Sequence, residues 1–405
     1  MNMNEKVIIT GLGMVTSLGN NVQSNWDNLV NGVSGVKDIQ LFDCSDLETK
    51  IAAEVNTEEL ELQIKDLIPK RIRKQMTRTT KMMISAAEEA IKDSGIHLEN
   101  YDSSRIAVIL GIINTSYNEN EKKISQSFRI IKDMPNAPSA WLSIQHGLEG
   151  PNFNVSTACA SSAYAIALGE LMIKTNQADI VIAGGADSHI NYEAIKGFNE
   201  LLTMSVNNSE PHKASRPFSA NRDGFVMGEG AGAIILESHT VAKARGANMY
   251  CELAGHALSS EAFDIISPQT NGIGMCKTMR TALKNANVSA DMVDYINAHG
   301  TSTHLNDKYE TQAIKECFGQ RAKNIPISST KSMLGHTIGA AGVIEAIVTV
   351  KSMCSDIITP TINYEQDEEL DLDYTPNQAR NMKVFTAISN SFGFGGHNAT
   401  LVFKK

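Results

Sequence analysis

Short apolar runs alternate along this chain with longer segments in which apolar residues recur at helical spacing. Six of the runs have the length of buried strands, and they cover residues 7–10, 106–110, 180–184, 232–237, 295–298 and 385–389. Residues 79–93 show helical spacing and end before Gly95, and residues 339–353 form a second apolar stretch of helical length. Strands that alternate with helices predict an α/β fold.

Length and composition are those of a globular protein. The 405 residues are 42% hydrophobic and 20% charged, which suffices for two domains or for one large duplicated fold. No uninterrupted apolar segment approaches the length of a membrane span. The first residues lack the basic region and apolar core of a secretion signal. We therefore expect a cytoplasmic protein with no membrane span.

Charge and cysteine usage exclude further classes. The formal net charge of −9 argues against nucleic acid as the main partner. One basic segment runs against this charge, and it contains Lys70, Arg71, Arg73 and Lys74. An isolated basic run is most often a solvated helix start. The six cysteines are scattered without CxxC pairs, so we predict no metal site and no disulfides, but buried thiols with one reactive cysteine among them.

The reactive cysteine is predicted to be Cys159. An apolar stretch breaks into small residues around it, in the run Val-Ser-Thr-Ala-Cys-Ala-Ser-Ser, and a helix-like stretch follows. A thiol at a helix N-terminus is favoured as the thiolate by the helix dipole and by free backbone N–H groups. The other five cysteines are better explained as buried structural residues.

Three further residues downstream complete a pattern with chemical meaning. His299 lies in Asn-Ala-His-Gly-Thr, and Lys331 and His336 lie in Lys-Ser-Met-Leu-Gly-His. A thiolate with two imidazoles and an ammonium in reach can be acylated and can then stabilise a developing carbanion. The order Cys, His, Lys, His therefore predicts carbon–carbon bond formation on thioesters.

These motifs, with three others, resemble the β-ketoacyl-[acyl carrier protein] synthases of the type II, elongating kind, within the thiolase superfamily. The others are the opening Val-Ile-Ile-Thr-Gly-Leu-Gly-Met-Val-Thr, the segment 216–232 with Arg-Pro-Phe and Arg-Asp-Gly-Phe-Val-Met-Gly-Glu-Gly-Ala-Gly, and the closing Ser-Asn-Ser-Phe-Gly-Phe-Gly-Gly. The resemblance runs almost end to end. It implies a thiolase-like fold of two stacked βαβαβαββ halves in five layers, α-β-α-β-α, which we divide into residues 1–249 and 250–405.

The resemblance also implies roles for the site residues. Cys159 would be the acylated nucleophile, and Lys331 would maintain the site's electrostatics with Glu310 as the acidic residue near it. His299 and His336 would be neutral, would orient a malonyl carboxylate and would then stabilise the enolate. The Phe394 N–H would pair with the Cys159 N–H as an oxyanion hole, and the Phe394 ring would swing as a gate. The pantetheine arm would be bound by Thr301, Thr303 and Ser267.

The acyl pocket is where the chain departs from the family pattern. Ile112 and Ile113 stand where the family usually has a glycine-rich loop, and Pro138 and Trp141 stand in a segment that usually reads Asn-Met-Ala-Ala-Gly-His. The resemblance implies that both segments line or cap the acyl pocket at the dimer interface, so these four residues, with Phe198, are predicted to line that pocket. Bulky side chains in place of glycine reshape such a pocket. A specialised polyketide or polyene ketosynthase is therefore the alternative to fatty-acid elongation.

The function implied is decarboxylative Claisen condensation of a malonyl group with an acyl group on Cys159, which elongates the acyl or polyketide chain by two carbons. No permanently bound cofactor is expected, because phosphopantetheine on an acyl carrier protein carries the substrates. The basic segment 70–74 would dock that acidic carrier. The second partner is expected to be another copy of the chain or a homologous chain-length factor, with the strand before Cys159 pairing across the two-fold axis.

Rival functions explain fewer of the residues. A Cys-His-Asn peptidase leaves Lys331 and the second histidine without roles. A biosynthetic thiolase needs a late catalytic cysteine, whereas the last cysteine here is Cys354. A non-catalytic chain-length subunit would have lost Cys159 or a histidine. The Gly11-Leu12-Gly13 motif lacks the third glycine of a dinucleotide-binding fingerprint.

Overall fold

The computed structural model describes residues 5–115 and 126–405 as a mixed α/β fold. The strands are β1 (Val7–Thr16), β2 (Lys37–Asp38), β3 (Ile51–Ala52), β4 (Ile106–Gly111), β5 (Asn152–Val155), β6 (Ile180–Asp187), β7 (Gly230–Ser238), β8 (Cys251–Ser260), β9 (Tyr295–Asn297), β10 (Ile327–Ser328), β11 (Ile357–Ile358), β12 (Arg380–Asn381), β13 (Thr386–Gly393) and β14 (His397–Lys404).

The helices separate these strands along the chain. They are α1 (Val22–Val30), α2 (Thr57–Leu67), α3 (Lys70–Arg73), α4 (Arg78–Ser94), α5 (Gln126–Asp133), α6 (Ala137–His146), α7 (Ser161–Lys174), α8 (Tyr192–Glu200), α9 (His239–Ala244), α10 (Ile273–Asn285), α11 (His304–Phe318), α12 (Lys331–Leu334) and α13 (Ala341–Ser355). Short 3₁₀ turns connect several of them.

The large sheet contains the same five-strand arrangement twice. Its order is β10-β9-β13-β14-β8-β1-β7-β6-β4-β5. In the first set β7 is antiparallel to both β1 and β6, and β6, β4 and β5 run parallel. In the second set β14 is antiparallel to both β8 and β13, and β13, β9 and β10 run parallel. This repetition confirms the predicted duplicated fold.

The helices form layers on both sides of the strands. Helices α7 and α13 pack against each other, and each contacts strands of both sets, so they form the central layer. Helix α4 packs on β1 and β7, and α10 packs on β8 and β14, as the outer layers. The two strand sets join where Val7–Ile9 of β1 pairs with Cys251–Leu253 of β8. The result is the α-β-α-β-α order expected of a thiolase-like fold.

The two glycines near the N-terminus allow the first strand to touch its helix. A Cβ at Gly13 would lie 1.9 Å from the Ala86 carbonyl oxygen, and one at Gly11 would lie 2.2 Å from that of Ala90. Both carbonyls belong to α4, so a side chain at either position would push helix and strand apart. Close packing of helix on strand therefore explains the motif that looked like part of a dinucleotide-binding loop.

All six predicted strands are present, and most extend beyond their predicted ends. Strands β8 and β14 were not predicted. Buried and half-buried residues alternate along much of β8, so no continuous apolar run marks it. The apolar stretch 339–353 belongs to a segment of membrane-spanning length, Ile338–Ser355, that is mostly buried within the protein. It is the core helix α13 and its lead-in turn.

Candidate active site

Cys159 lies on a strained turn between β5 and the central helix α7. The residue before it, Ala158, has φ +50°, a conformation that residues with a side chain rarely adopt. The Ser161 hydroxyl donates to the Ala158 carbonyl at 2.6 Å and accepts from the Thr157 N–H at 2.9 Å. Strain of this kind persists only where the surroundings fix it, and it is common at functional sites. Here it presents the thiol beyond the helix N-terminus.

The resting thiol is protonated, contrary to the expectation of a favoured thiolate. Burial raises the pKa of Cys159 to about 12, although the Lys331 ammonium and the backbone N–H groups of Phe394 and Cys159 itself oppose the rise. The side chain is 8% exposed. Desolvation is the largest influence on the pKa of this thiol, and α7 begins only at Ser161, two residues further on.

His299 lies on the loop that follows β9, and a buried carboxylate fixes that loop. The Glu310 carboxylate accepts from the His299 N–H at 2.9 Å and from the Gly300 N–H at 2.8 Å. Gly300 has φ +32°, and a Cβ there would lie 2.7 Å from both the Phe218 ring and Ser329. Only glycine therefore fits at position 300. The backbone that carries the His299 imidazole is fixed by Glu310 on one side and by close packing at Gly300 on the other.

His336 is held from the other side of the site. Its N–H donates to the Val226 carbonyl at 2.7 Å. Its ring Nδ1 accepts from the Ile338 N–H at 3.2 Å, and Ile338 has φ +43°, an unusual value for a β-branched residue. The strained turn after α12 thus orients the ring through Nδ1.

Lys331 connects the loop that carries His299 to helix α13. Its Nζ donates to the His299 carbonyl at 2.6 Å and lies 3.4 Å from the His299 Nδ1. Its ion-pair partner is Glu345 of α13, and both side chains are almost fully buried. Glu310, predicted as the acidic residue near Lys331, interacts electrostatically with that ammonium, while its hydrogen bonds go mainly to the backbone N–H groups of residues 299 and 300. Glu345 was missed by sequence reasoning.

Both imidazoles are neutral and present Nε2–H. Burial, reinforced by the Lys331 ammonium, lowers the pKa of His299 and of His336 well below the ordinary histidine range. An ammonium near Nδ1 of one ring and a backbone N–H on Nδ1 of the other leave the proton on Nε2 in each. The ring centroids are 5.4 Å apart, with the planes at 85°. The two Nε2–H donors of His299 and His336 therefore belong to neighbouring rings.

The loop that carries Phe394 packs against the nucleophile. A Cβ at Gly393 would lie 2.9 Å from the Thr157 carbonyl oxygen and 3.1 Å from the Cys159 nitrogen, so no side chain fits there. The Phe394 N–H and the Cys159 N–H both act on the Cys159 thiol, because each lowers its pKa. These are the two N–H groups that the resemblance implies for an oxyanion hole. The Phe394 ring is 36% exposed, at the mouth of the cavity.

A cavity of about 600 Å³ joins these residues. Of the predicted residues, its lining includes Cys159, His299, His336, Phe394, Thr301, Thr303, Ser267, Ile113 and Phe198. The Thr301 and Thr303 hydroxyls are 2.8 Å apart and hydrogen-bond to each other. The positions predicted for the pantetheine arm and for the acyl chain therefore open into one continuous space.

Three residues predicted for the acyl pocket at the dimer interface do not line the cavity of the single chain. Ile112 is 1% exposed and packs in a hydrophobic cluster with residues of α2 and α4. Trp141 packs against the same cluster from α6, and Pro138 is buried at the start of that helix. Ile112 and Ile113 are adjacent, yet only Ile113 faces the cavity, because neighbouring side chains of an extended segment point in opposite directions.

The predicted docking residues surround a short exposed helix. Lys70, Arg71 and Lys74 are exposed at α3, and Arg73 is partly buried.

A second carboxylate that the sequence did not reveal, Asp307, accepts from the Thr301 N–H at 3.0 Å and from the Phe218 N–H at 2.8 Å. Asp307 and Glu310 stand three residues apart on α11, so one helix positions the whole 299–301 loop.

The arrangement supplies the components of a two-stage reaction. A thiol faces paired backbone N–H groups, which suits formation and breakdown of a thioester through a tetrahedral intermediate. Two neutral Nε2–H donors in the same cavity suit stabilisation of a negatively charged carbonyl oxygen. A buried ammonium near one ring maintains that tautomer.

Comparison with known proteins gives the same family over both halves. The description Beta-ketoacyl synthase, N-terminal domain, matches residues 4–242, and Beta-ketoacyl synthase, C-terminal domain, matches residues 250–365. A relative named 3-oxoacyl-[acyl-carrier-protein] synthase 2, from Coxiella burnetii, is 41% identical over 412 residues, which cover 99% of this chain and 98% of the relative.

Solved structures agree over almost the whole chain. One is described as a type II PKS acyl-carrier protein in complex with its ketosynthase bound to the hexaketide, and it is 30% identical with a TM-score of 0.88. Another is the ishigamide ketosynthase/chain length factor, 29% identical with a TM-score of 0.90. Each match covers 99% of both chains.

Proposed function

The chain belongs to the β-ketoacyl synthase family, and from this premise we propose that it is a 3-oxoacyl-[acyl carrier protein] synthase. It condenses malonyl-carrier protein with an acyl group held on Cys159, releases carbon dioxide and lengthens the chain by two carbons. The observation that carries the proposal is the pair of neutral Nε2–H donors beside a buried thiol. A cysteine peptidase has no use for two such donors.

In the first stage the acyl group moves to the enzyme. The Cys159 sulfur attacks the acyl thioester carbonyl, and the carbonyl oxygen accepts from the Cys159 and Phe394 N–H groups. The intermediate expels the pantetheine sulfur, which leaves as a thiol with the proton that Cys159 gives up. Because the pKa of Cys159 is about 12, that proton leaves during the attack rather than before it.

In the second stage the malonyl group loses carbon dioxide. Its thioester carbonyl accepts from the Nε2–H groups of His299 and His336, so both donors face the charge that develops as the carbon–carbon bond breaks. The resulting enolate carbon attacks the acyl carbonyl on Cys159. Collapse of that intermediate releases the 3-oxoacyl-carrier protein and the Cys159 thiolate, which regains a proton from water. Lys331 acts through His299 and need not touch the substrate.

The partner of this reaction is an acyl carrier protein. The description of a solved relative as an acyl-carrier protein complex supports this partner. Docking at Lys70, Arg71, Arg73 and Lys74 rests on their charge and on the exposure of three of them. We propose that Ser267, Thr301 and Thr303 bind the pantetheine arm and that the Phe394 ring gates acyl entry.

Assembly as a dimer is part of the proposal. Strand β5 is the terminal strand of the large sheet, so its outer edge is open to pairing with a second chain. The partner is a second copy or, by analogy with the ishigamide ketosynthase, a chain length factor. We keep the division into residues 1–249 and 250–405, since five strands of the large sheet precede Tyr250 and five follow it. The site of action is the cytoplasm.

Fatty-acid elongation is preferred over a specialised polyketide role. The curated relatives carry the name 3-oxoacyl-[acyl-carrier-protein] synthase 2 at 38–41% identity, whereas the polyketide-related structures are 29–30% identical.

The proposal is tested by reconstitution. Purified enzyme, malonyl-carrier protein and hexanoyl-carrier protein are expected to yield 3-oxooctanoyl-carrier protein, detected by intact mass. Peptide mapping after hexanoyl-carrier protein alone should place the acyl group on Cys159. The Cys159→Ala variant should form no condensation product, while the matched Cys354→Ala variant should match wild type. Acylation at another cysteine, or product from Cys159→Ala, would exclude the mechanism.

A further inference from the structure

Two cysteines outside the active site lie on the neighbouring helices α10 and α11. Cys276 is 4% exposed and belongs to a hydrophobic cluster that includes residues of both helices, and the partly buried Cys317 packs against that cluster. Neither cysteine is among the residues that line the cavity of Cys159. The mechanism above therefore gives these two thiols no role.

Contacts on either side of the cysteines fix the register of the two helices. A Cβ at Gly272, just before α10, would lie 3.0 Å from the Ala313 Cβ of α11. Further along, the Arg280 guanidinium donates to the Glu316 carboxylate at 3.0 Å and also to the carbonyl of that residue. Each cysteine stands about one helical turn after its member of the first contact, and Cys276 stands one turn before Arg280. The two thiols therefore meet at the interface between the helices.

The two thiols titrate as a pair. The Cys317 thiol lowers the pKa of Cys276, and the Arg280 guanidinium adds to this effect against the opposing effect of burial. In return, Cys276 raises the pKa of Cys317. Cys276 is therefore the member that carries the thiolate, which is the reactive form of a cysteine.

A surface cavity gives small molecules access to Cys276. Its volume is about 720 Å³, and Cys276 lines it together with Lys277, Arg280 and Glu316. These last three residues are exposed, so the cavity is open to solvent. A thiolate next to cations, at a site that solvent can reach, is the environment of a cysteine that exchanges with disulfides.

We propose that Cys276 and Cys317 form a redox-active pair that a small disulfide, such as oxidised glutathione, converts into an intramolecular disulfide. The Cys276 thiolate attacks one sulfur of the small disulfide, whose S–S bond breaks, and the released thiolate takes a proton from water. Cys317 then loses its proton and attacks the Cys276 sulfur, and the second small thiolate leaves and takes up that proton. Two protein thiols are oxidised, and one small disulfide is reduced to two thiols.

The test maps the disulfide in wild-type protein. Enzyme treated with oxidised glutathione is denatured, alkylated and digested with trypsin and Glu-C, and cleavage after Glu261 separates Cys276 from Cys251. We expect a disulfide-linked pair of peptides, residues 262–277 with residues 317–321, and two fewer of the six cysteines alkylated. Dithiothreitol should restore both thiols.

Single variants separate the two steps of the exchange. Cys317→Ser should stop at the mixed disulfide, with glutathione held on Cys276. Cys276→Ser leaves only the thiol with the raised pKa and should react with glutathione at least about tenfold more slowly at Cys317. Cys354→Ser, at an exposed cysteine of α13, should form the same disulfide as wild type. The map of wild type decides the test even if a variant fails to fold.

The contradicting outcomes are equally specific. If both thiols of wild type stay reduced, or if glutathione remains on Cys276 without transfer to Cys317, the proposal is wrong. A disulfide between Cys251 and Cys354 in place of the expected one would also overturn it. Because the test needs no condensation activity, its failure leaves the proposed function standing, and failure of the condensation assay leaves the redox pair standing.

Discussion

The two sides of the cavity are built by different means. The polar wall is formed by His299 and His336 and is supported by the buried pair Lys331 and Glu345. It is organised by bonds within the chain, because Lys331 binds both the His299 carbonyl and Glu345, and the Ile338 N–H bonds to the His336 ring. The proposed acyl wall contains Ile113, Phe198 and Ile338, and its side chains are mainly apolar. The first wall fixes charges before substrate arrives, whereas we propose that the second selects substrate by the volume that it leaves free.

The largest effect is expected from breaking the ion pair of the polar wall. Glu345→Ala leaves the Lys331 ammonium buried without its carboxylate, and removal of one partner of a buried pair destabilises proteins by about 3–5 kcal/mol. Urea unfolding should show that loss, and Glu345→Gln should lose less because it keeps a hydrogen-bond acceptor. Glu316→Gln, in an exposed pair with Arg280, should stay within about 1 kcal/mol of wild type. Equal losses for Glu345→Ala and Glu316→Gln would show that the pair does not organise this wall.

Local motifs reveal the polar wall only in part. Cys159, His299, Lys331 and His336 each stand in a short distinctive run, so the sequence could single them out. Glu345 could not be found this way, because a lone acid in the apolar stretch 339–353 has no local partner. Its signal was the charge itself, since a carboxylate on a fully buried helix needs a cation.

The other features that the sequence did not predict depend on contacts between segments that are distant along the chain. The protonation of Cys159 depends on burial by several segments, whereas the prediction of a thiolate considered only the helix that follows it. Ile112 and Ile113 are equivalent in sequence, and only the path of the chain after β4 decides which of them reaches the cavity. Strand β8 was missed because buried and half-buried residues alternate along much of it, and in β14 the apolar run is only Leu401-Val402-Phe403.

The next effect concerns the paired donors of the polar wall. His299→Ala and His336→Ala each remove one donor to the enolate oxygen, and loss of one such donor typically reduces rates by about 10²–10³. Release of labelled carbon dioxide from malonyl-carrier protein should fall by that factor. Single-turnover acylation of Cys159 should fall less, because its donors are backbone N–H groups. Loss of acylation with normal decarboxylation would reverse the assignment.

A smaller effect tests the charge state of the nucleophile. The pKa of Cys159 is raised to about 12, so the reactive thiolate is a minor form at neutral pH and its fraction grows tenfold per pH unit below that value. Alkylation of Cys159 by iodoacetamide, followed by peptide mass spectrometry, should therefore rise about tenfold per unit between pH 7 and pH 9 without levelling off. A short unstructured peptide with one cysteine, the control, should begin to level off near pH 8.5. A plateau for Cys159 below pH 8 would restore the thiolate that the helix-terminus argument predicted.

The smallest effect on activity separates two adjacent residues, of which only Ile113 faces the cavity. Ile113→Ala removes side-chain volume from the cavity, so it should admit longer chains, with a shift of about tenfold in kcat/KM per well-placed methylene. Ile112→Ala removes the same atoms from the cluster beneath α4. It should lower the free energy of unfolding by about 2–5 kcal/mol and leave the length profile unchanged. Carrier-bound acyl groups of graded length, in competition for the same enzyme, measure the profile, and urea unfolding measures stability. A shift in the Ile112 variant with none in the Ile113 variant would place the acyl pocket on the opposite side of this segment. Ile112, and not Ile113, would then face the acyl chain.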